Sequence, residues 1–174
     1  MLELREGQDG DRVVTRCGIP AGSIVWRGWG EELGRRTRWS YQVDHDRHLE
    51  LGGAAARIRH SCEPNCGVLI RREARILEIH SLRALAAGEE LTVDYATFEW
   101  EIEYQAGACR CGRPSCRGRI VGFRGLPADR RAAYGRYIAP YLREIEWGIR
   151  PIAVGRAVLG QPRSEDLAEV GATV

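Results

Sequence analysis

The most informative stretch of this sequence is His60-Ser61-Cys62-Glu63-Pro64-Asn65-Cys66. Pro64 restricts Glu63 to extended conformations, and Asn65 favours a turn. A cysteine two residues from a histidine is only a weak signal for a nucleophilic pair, because no acid that would orient the histidine can be assigned. Taken alone, such a stretch is more often packing than catalysis, so its interpretation depends on what surrounds it.

Short apolar runs separated by turn residues lie on both sides of this stretch. Residues 23–26 predict one strand, and residues 68–70 and 76–79 predict a hairpin around three charged residues. A further strand is predicted over residues 91–95, after a Gly-Glu-Glu turn. Strands and helices do not alternate regularly, which argues against a parallel α/β sheet. The sequence therefore predicts a mostly β fold.

Length and composition indicate an ordinary folded domain. The chain has 174 residues, 44% hydrophobic and 29% charged, which suits one domain with its own core. The net charge of +2 does not favour binding to nucleic acid. A small acidic patch at Glu99, Glu101 and Glu103 either attracts a basic substrate or, as the better explanation, is a solvated face. No stretch is apolar enough to cross a membrane, and the polar amino end does not resemble a signal peptide. We therefore expect a cytoplasmic protein with no membrane partner.

Three cysteines, Cys109, Cys111 and Cys116, are closely spaced in a glycine-rich segment. Residues 107–125 hold few bulky apolar side chains, so this segment cannot fold around a core of its own. In the cytoplasm such cysteines are metal ligands or free thiols more often than disulfides. At this spacing they can wrap a tetrahedral zinc ion, whose binding energy would order the segment. The candidates for a fourth ligand are Cys17, Cys62, Cys66 or a histidine.

The composition changes again after the cysteines. From residue 128 to residue 147, apolar residues recur at helical spacing, which predicts a helix that Pro140 breaks or kinks. This helix serves either to cover the core or to form a dimer. The last dozen or so residues are rich in glycine, alanine and charge, and indicate a loosely held tail.

Three separated motifs together resemble one protein family. They are residues 60–65, the Gly-Glu-Glu-Leu-Thr-Val-Asp-Tyr run at residues 88–95, and the three-cysteine cluster followed by Arg117-Gly118. In this order and spacing they resemble SET-domain protein lysine methyltransferases with a post-SET zinc segment, in a compact, bacterial-style form. The resemblance covers about residues 10–120.

The resemblance implies a SET fold (β-clip), in which small curved sheets surround a pseudoknot, with short helices and a C-terminal helical extension. It divides the chain into a SET domain (1–106), a post-SET zinc-binding segment (107–125), and a helical extension with a tail (126–174). It further implies S-adenosyl-L-methionine as the cofactor, a structural zinc ion, and transfer of a methyl group to a lysine side chain of a protein.

Particular residues acquire roles by the same resemblance. Tyr95 is the expected catalytic tyrosine, between the cofactor and the substrate channel, and His60 lies in the segment that lines the cofactor pocket. Cys62 is the expected fourth zinc ligand beside Cys109, Cys111 and Cys116, although Cys66 is a rival. These parts suit the reaction, because displacement at a sulfonium methyl depends mainly on positioning and on a neutral amine.

Several positions depart from the family pattern. Arg59 stands where the family usually has a cofactor-binding asparagine; it either pairs with the carboxylate of the cofactor or blocks the pocket. The glycine pair expected near residues 10–15 is not evident. Gly28 takes the position of an aromatic residue, for which Trp26 and Trp29 are possible substitutes in contacting the cofactor.

Three further side chains are candidates for the binding pockets. Tyr41 lies in the short variable insert and is a candidate wall of the substrate channel. Val93 takes a position where the family often has Phe or Tyr, so its smaller side chain predicts room to add more than one methyl. Phe123 is a candidate cover for the adenine ring. Plain core packing is the alternative for each of them.

Three functional interpretations follow. The leading one is a methyltransferase acting on a protein lysine. The second keeps the fold but not the catalysis, giving a SET module that binds a partner, and Arg59 with the missing glycine pair favours it. The third is a methyltransferase acting on a small-molecule or peptide amine, which the short insert permits.

Overall fold

The computed structural model of the chain describes residues 2–7, 10–104 and 107–148. The strands within these ranges are β1 (Leu2–Arg5), β2 (Arg12–Thr15), β3 (Ile24–Gly28), β4 (Glu31–Leu33), β5 (Ser40–Gln42), β6 (His48–Glu50), β7 (Arg59–His60), β8 (Cys66–Arg71), β9 (Ile76–Ser81), β10 (Thr92–Val93), β11 (Gly107–Ala108) and β12 (Arg119–Ile120). The α-helices are α1 (Ala128–Tyr134) and α2 (Pro140–Glu146). Short 3-10 turns cover Ala54–Arg57, Tyr95–Thr97, Phe123–Gly125 and Gly135–Tyr137.

The strands form small sheets rather than one large one. Antiparallel pairing in the order β3-β9-β8 makes a central three-stranded sheet, and β4-β6-β5 makes a second. The pairs β1-β2 and β11-β12 are antiparallel, whereas β7 and β10 pair in parallel. The prediction of a mostly β fold of small sheets with short helices is confirmed.

The predicted hairpin is confirmed as the pair β8 and β9, in which Val68 lies opposite Ile79. The strand predicted over residues 91–95 is too long. It ends at Val93 because the Asp94 carboxylate accepts a hydrogen bond from the backbone N–H of Ala96, at 3.1 Å, and so caps a 3-10 turn that starts at Tyr95.

The parallel pair β7-β10 brings two distant motifs together. His60 lies opposite Val93, and the N–H of Ser61 donates to the carbonyl oxygen of Val93 at 2.9 Å. The Val93 side chain is fully buried. The pairing therefore places the first motif directly beside Asp94 and Tyr95.

The helix predicted over residues 128–147 is two helices, and the predicted break at Pro140 is confirmed. Helix α1 ends where Gly135 takes a φ of 48°, and Pro140 occupies the first turn of α2, where its missing N–H costs nothing. Tyr141 and Leu142 of α2 are fully buried, so the extension covers the core. The predicted tail lies outside the described residues. Across the described ranges, no helix has both the length and the apolar character needed to span a bilayer.

Candidate functional site

Tyr95 lies at the start of the capped 3-10 turn, beside a small pocket. Its hydroxyl donates a hydrogen bond to the carbonyl oxygen of Ile58 at 3.0 Å. Burial raises the pKa of Tyr95 to about 12, so the hydroxyl stays protonated near neutral pH. Tyr95 is therefore suited to orient a group by hydrogen bonding rather than to remove a proton from it.

The pocket beside Tyr95 is narrow, with a volume of about 30 Å³. The Tyr41 ring forms one wall and stacks on Phe98 with a centroid distance of 4.6 Å, and the Tyr41 hydroxyl donates to the carbonyl oxygen of Ala55 at 3.0 Å. The pocket is also lined by charged and aromatic side chains: Arg36, Arg38, Trp39, Glu103 and Tyr104. Aromatic walls of this kind accommodate an apolar stem and attract a cationic end group.

Glu99 is a buried carboxyl group in the same pocket. Its Oε1 accepts a hydrogen bond from the backbone N–H of Gln42 at 3.1 Å. Burial raises the pKa of Glu99 to about 7, although the charge of Arg36 opposes the shift. The sequence predicts that Glu99 belongs to a solvated acidic face. That expectation is wrong for Glu99, because its neighbours in the sequence do not reveal that it faces the pocket.

His60 lies between Tyr95 and the cysteine residues. Its side chain is 2% exposed, its Nδ1 lies 3.4 Å from the backbone nitrogen of Tyr95, and its Nε2 lies 3.4 Å from Sγ of Cys62. A neutral ring with its hydrogen on Nε2 satisfies both contacts, accepting from Tyr95 and donating towards the sulphur. Burial lowers the pKa of His60 to about 4, in agreement with a neutral ring.

Four thiol groups from two parts of the chain form a second cluster. The Sγ atoms of Cys62, Cys109, Cys111 and Cys116 all lie within 4.8 Å of one another, and those of Cys62 and Cys109 are 3.8 Å apart. Zinc–sulphur bonds of about 2.3 Å in a tetrahedron also put the sulphurs about 3.8 Å apart. The donor set and its spacing therefore fit a zinc ion.

Backbone N–H groups also point at this cluster. The N–H of Arg117 lies 3.4 Å from Sγ of Cys62, and the N–H of Gly118 lies 3.4 Å from Sγ of Cys116. Such contacts stabilise the negative charge of thiolates. The two other candidate cysteines, exposed Cys17 and buried Cys66, do not belong to the cluster.

Comparison with known proteins identifies the family. The model of one family, described as the SET domain, matches residues 10–96. The chain belongs to the SET-domain family. Tyr95 and the two motifs that pair in parallel lie within the matched residues.

Similar curated proteins are named histone-lysine N-methyltransferases. The chain is 37% identical over 86 residues to "Histone-lysine N-methyltransferase ATXR3" of Arabidopsis thaliana, covering 44% of this chain and 3% of that protein. It is 39% identical over 92 residues to "Histone-lysine N-methyltransferase trr" of Drosophila melanogaster, covering 49% and 4%. To "Histone-lysine N-methyltransferase, H3 lysine-4 specific" of Saccharomyces cerevisiae it is 36% identical over 83 residues, covering 45% and 8%. These matches span less than a tenth of each relative.

Solved structures of KRYPTONITE are also similar. One, in complex with mCHG DNA and SAH, has a TM-score of 0.56 and 27% identity, and covers 68% of this chain and 28% of that chain. Another, in complex with mCHH DNA, an H3(1–15) peptide and SAH, has a TM-score of 0.57 and 25% identity, and covers 68% and 29%.

The other predicted site residues lie elsewhere in the structure. Arg59 is partly exposed, with Nη1 3.7 Å from Glu90 Oε1. The Trp26 ring covers Gly28, where a Cβ atom would lie 2.6 Å from Trp26 Cζ2. Phe123 is 1% exposed and packs in the core, with the guanidinium of Arg131 4.4 Å from its ring centre. Two of the predicted site residues, Tyr41 and Tyr95, line the same pocket. The pocket is not lined by the other predicted cofactor and channel residues: Arg59, His60, Trp26, Val93 and Phe123.

Proposed function

We propose that this SET domain is an S-adenosyl-L-methionine-dependent methyltransferase that methylates a lysine side chain of a protein or peptide. The observation that carries the proposal is the protonated Tyr95 hydroxyl at an aromatic-walled pocket within a SET domain. The histone-lysine methyltransferase names of the relatives support the substrate class, and the SAH in KRYPTONITE supports the cofactor.

The chain's own residues would favour the reaction in two ways. A lysine amine buried against the aromatic walls made by Tyr41, Phe98 and Tyr95 would lose contact with water and so become easier to deprotonate. The Tyr95 hydroxyl then holds the amine so that its lone pair faces the methyl group that the cofactor supplies. No strong base is required at the reacting nitrogen in this scheme.

We further propose that Cys62, Cys109, Cys111 and Cys116 hold one structural zinc ion, and that the protein is cytoplasmic, where thiols stay reduced. The family resemblance also predicts roles for individual residues: cofactor contacts by Arg59, His60, Trp26 and Phe123, and channel positions for Tyr41 and Val93. The domain boundaries at residues 106 and 125 and the expected lack of a nucleic-acid partner also stay predictions.

The test begins with calorimetric titration of the zinc-loaded protein with S-adenosyl-L-methionine. Transfer of a tritiated methyl group is then measured on a library of lysine-centred peptides that includes H3(1–15), with arginine-substituted copies as controls. We expect micromolar cofactor binding and transfer only to lysine. Tyr95→Phe should keep cofactor binding and lower kcat on the order of 100-fold, whereas Tyr137→Phe, whose hydroxyl contacts Arg136 outside the pocket, should keep both. Undiminished transfer by Tyr95→Phe contradicts the proposed role.

A second candidate function, a partner-binding module without catalysis, is favoured by Arg59. The same titration on Arg59→Asn separates the two. If the wild type fails to bind the cofactor and the variant binds it, Arg59 closes the cofactor pocket and the binding module is the better description. Cofactor binding with transfer to free small amines but not to peptides would instead favour the small-molecule substrate.

A further inference from the structure

The carboxylate of Asp94 is a buried meeting point for three separate segments of the chain. Its side chain has no exposed surface. Arg117, from the cysteine segment, donates from Nη1 to Oδ2 at 2.7 Å and from Nη2 to Oδ1 at 2.8 Å. The hydroxyl of Tyr134, from α1, donates to Oδ2 at 2.8 Å.

Each contact offsets a cost of burying this carboxylate. A buried charge is unfavourable unless it is paired and its remaining lone pairs are hydrogen-bonded. The bidentate contact from Arg117 supplies the opposite charge. The Tyr134 hydroxyl donates a further hydrogen bond to Oδ2 and so satisfies another of its lone pairs. Burial and the charge of Asp94 raise the pKa of Tyr134, so its hydroxyl remains a donor.

Asp94 also controls the position of Tyr95. It directly precedes Tyr95 in the chain, and its Oδ1 accepts the Ala96 N–H that closes the 3-10 turn. Rotation of the Asp94 carboxylate would remove this cap and free the turn that holds the Tyr95 side chain in the pocket. A group that fixes the Asp94 carboxylate therefore fixes Tyr95.

Tyr134 lies outside residues 10–96, the part of the chain that matches the SET family. The C-terminal extension thus reaches the Asp94 cap through the Tyr134 hydroxyl. It also contacts the turn itself, since the N–H of Ala139 donates to the carbonyl oxygen of Thr97 at 2.8 Å and the hydroxyl of Tyr141 donates to that of Phe98 at 2.9 Å. We propose that Tyr134 is a positioning residue, which acts through Asp94 to hold Tyr95 in its working orientation. The kinetic part of this inference rests on the proposed methyltransferase function.

A purely structural role for Tyr134 makes a different prediction. If α1 only covers the core, removing the hydroxyl lowers the free energy of unfolding but leaves the folded protein's kcat unchanged. A positioning role lowers kcat in protein that is still folded, with the Kd for S-adenosyl-L-methionine unchanged. Tyr134→Phe separates these outcomes because it keeps the ring and removes the hydrogen bond.

The experiment compares the zinc-loaded 174-residue chain as wild type, Tyr134→Phe and Tyr137→Phe, at a temperature where circular dichroism shows all three folded. Tyr137→Phe is the matched control, since it removes a hydroxyl from the same extension. We expect kcat to fall about tenfold in Tyr134→Phe, the effect of losing one hydrogen bond to a charged group, and to be unchanged in Tyr137→Phe. Unchanged kcat in Tyr134→Phe, or an equal fall in both variants, overturns the proposal.

A second measurement does not depend on methyl transfer. With 3-fluorotyrosine incorporated, the six tyrosines give fluorine resonances, and loss of one signal in Tyr95→Phe assigns Tyr95. We expect the Tyr95 resonance to shift or broaden in Tyr134→Phe and to stay unchanged in Tyr137→Phe. If the wild type transfers no methyl group, the proposed function fails and this resonance alone decides the role of Tyr134. An unmoved resonance overturns it.

Discussion

Arg36 Nε lies 3.0 Å from Glu99 Oε2, yet neither atom has a hydrogen-bond partner within the part of the chain that the structure describes. Attraction between the two charges is therefore not reinforced by a well-aligned hydrogen bond. The cost of burying the Glu99 carboxylate outweighs that attraction, so burial raises the pKa of Glu99 to about 7. The pair lines the same pocket as Tyr95.

Glu99 should make the stability of the protein pH-dependent. Its pKa is higher in the folded protein than its ordinary value of 4.5, so the folded state binds the proton more tightly. Its contribution to the free energy of unfolding is complete below about pH 4.5 and is lost as pH rises through about 7. This fall in the free energy of unfolding amounts to at most about 3 kcal/mol. We expect it to be absent in Glu99→Gln when urea denaturation is measured between pH 5 and 8.

The control for this change is Glu101→Gln, since Glu101 is exposed and pairs with Arg124. Its denaturation should follow the pH dependence of the wild type. If Glu99→Gln also follows the wild type at every pH, the raised pKa is contradicted.

Zinc should be needed for full stability. We expect one zinc ion per chain in the wild type, and much less in Cys62→Ser, because a structural site holds its ion poorly with three thiolates. The melting temperature of the variant should fall by about 10 °C. Cys17→Ser, which changes an exposed cysteine outside the cluster, should bind zinc as the wild type does. Metal content and thermal unfolding measure both effects, and equal zinc in the two variants argues against Cys62 as a ligand.

Gly67 should be sensitive to a single added methyl group. A Cβ atom there would lie 2.6 Å from Cγ of Tyr137, which packs against β8. We expect Gly67→Ala to lower the free energy of unfolding by about 1–3 kcal/mol. Gly34→Ala, where a Cβ atom meets open space, should have little effect. Adding Tyr137→Ala should relieve the clash, so the double variant should lose less stability than the two single losses combined.

Val93 is buried and does not line the pocket beside Tyr95, but the family resemblance predicts that its small side chain allows more than one methyl to be added. Given the proposed activity, mass spectrometry of the methylated peptide should show di- or trimethyl-lysine for the wild type and for Val93→Ala. Val93→Phe should shift the product towards monomethyl-lysine, because a larger ring leaves less room. An unchanged product distribution in folded Val93→Phe would contradict this role.

Features that depend on neighbouring residues were predictable from the sequence. The β8-β9 hairpin follows from two apolar runs around a charged turn, and the new helix at Pro140 follows from the missing N–H of proline. The strand before Tyr95 was predicted too long, because the cap from Asp94 to Ala96 competes with strand geometry. The alternation of apolar and polar residues and the strand propensity of each residue do not reveal that the Asp94 side chain ends the strand by capping the next turn.

The mostly β character, the cysteine cluster and the order of the SET motifs can therefore be predicted from the amino-acid sequence, because each depends on short runs of neighbouring residues. Only the tertiary structure decided that Cys62 meets Cys109, 47 residues away, and that Glu99 is buried. It also decided that Tyr134 reaches Asp94. These are contacts between segments distant in the chain, and they form only when the packing of sheets, turns and helices brings those segments together.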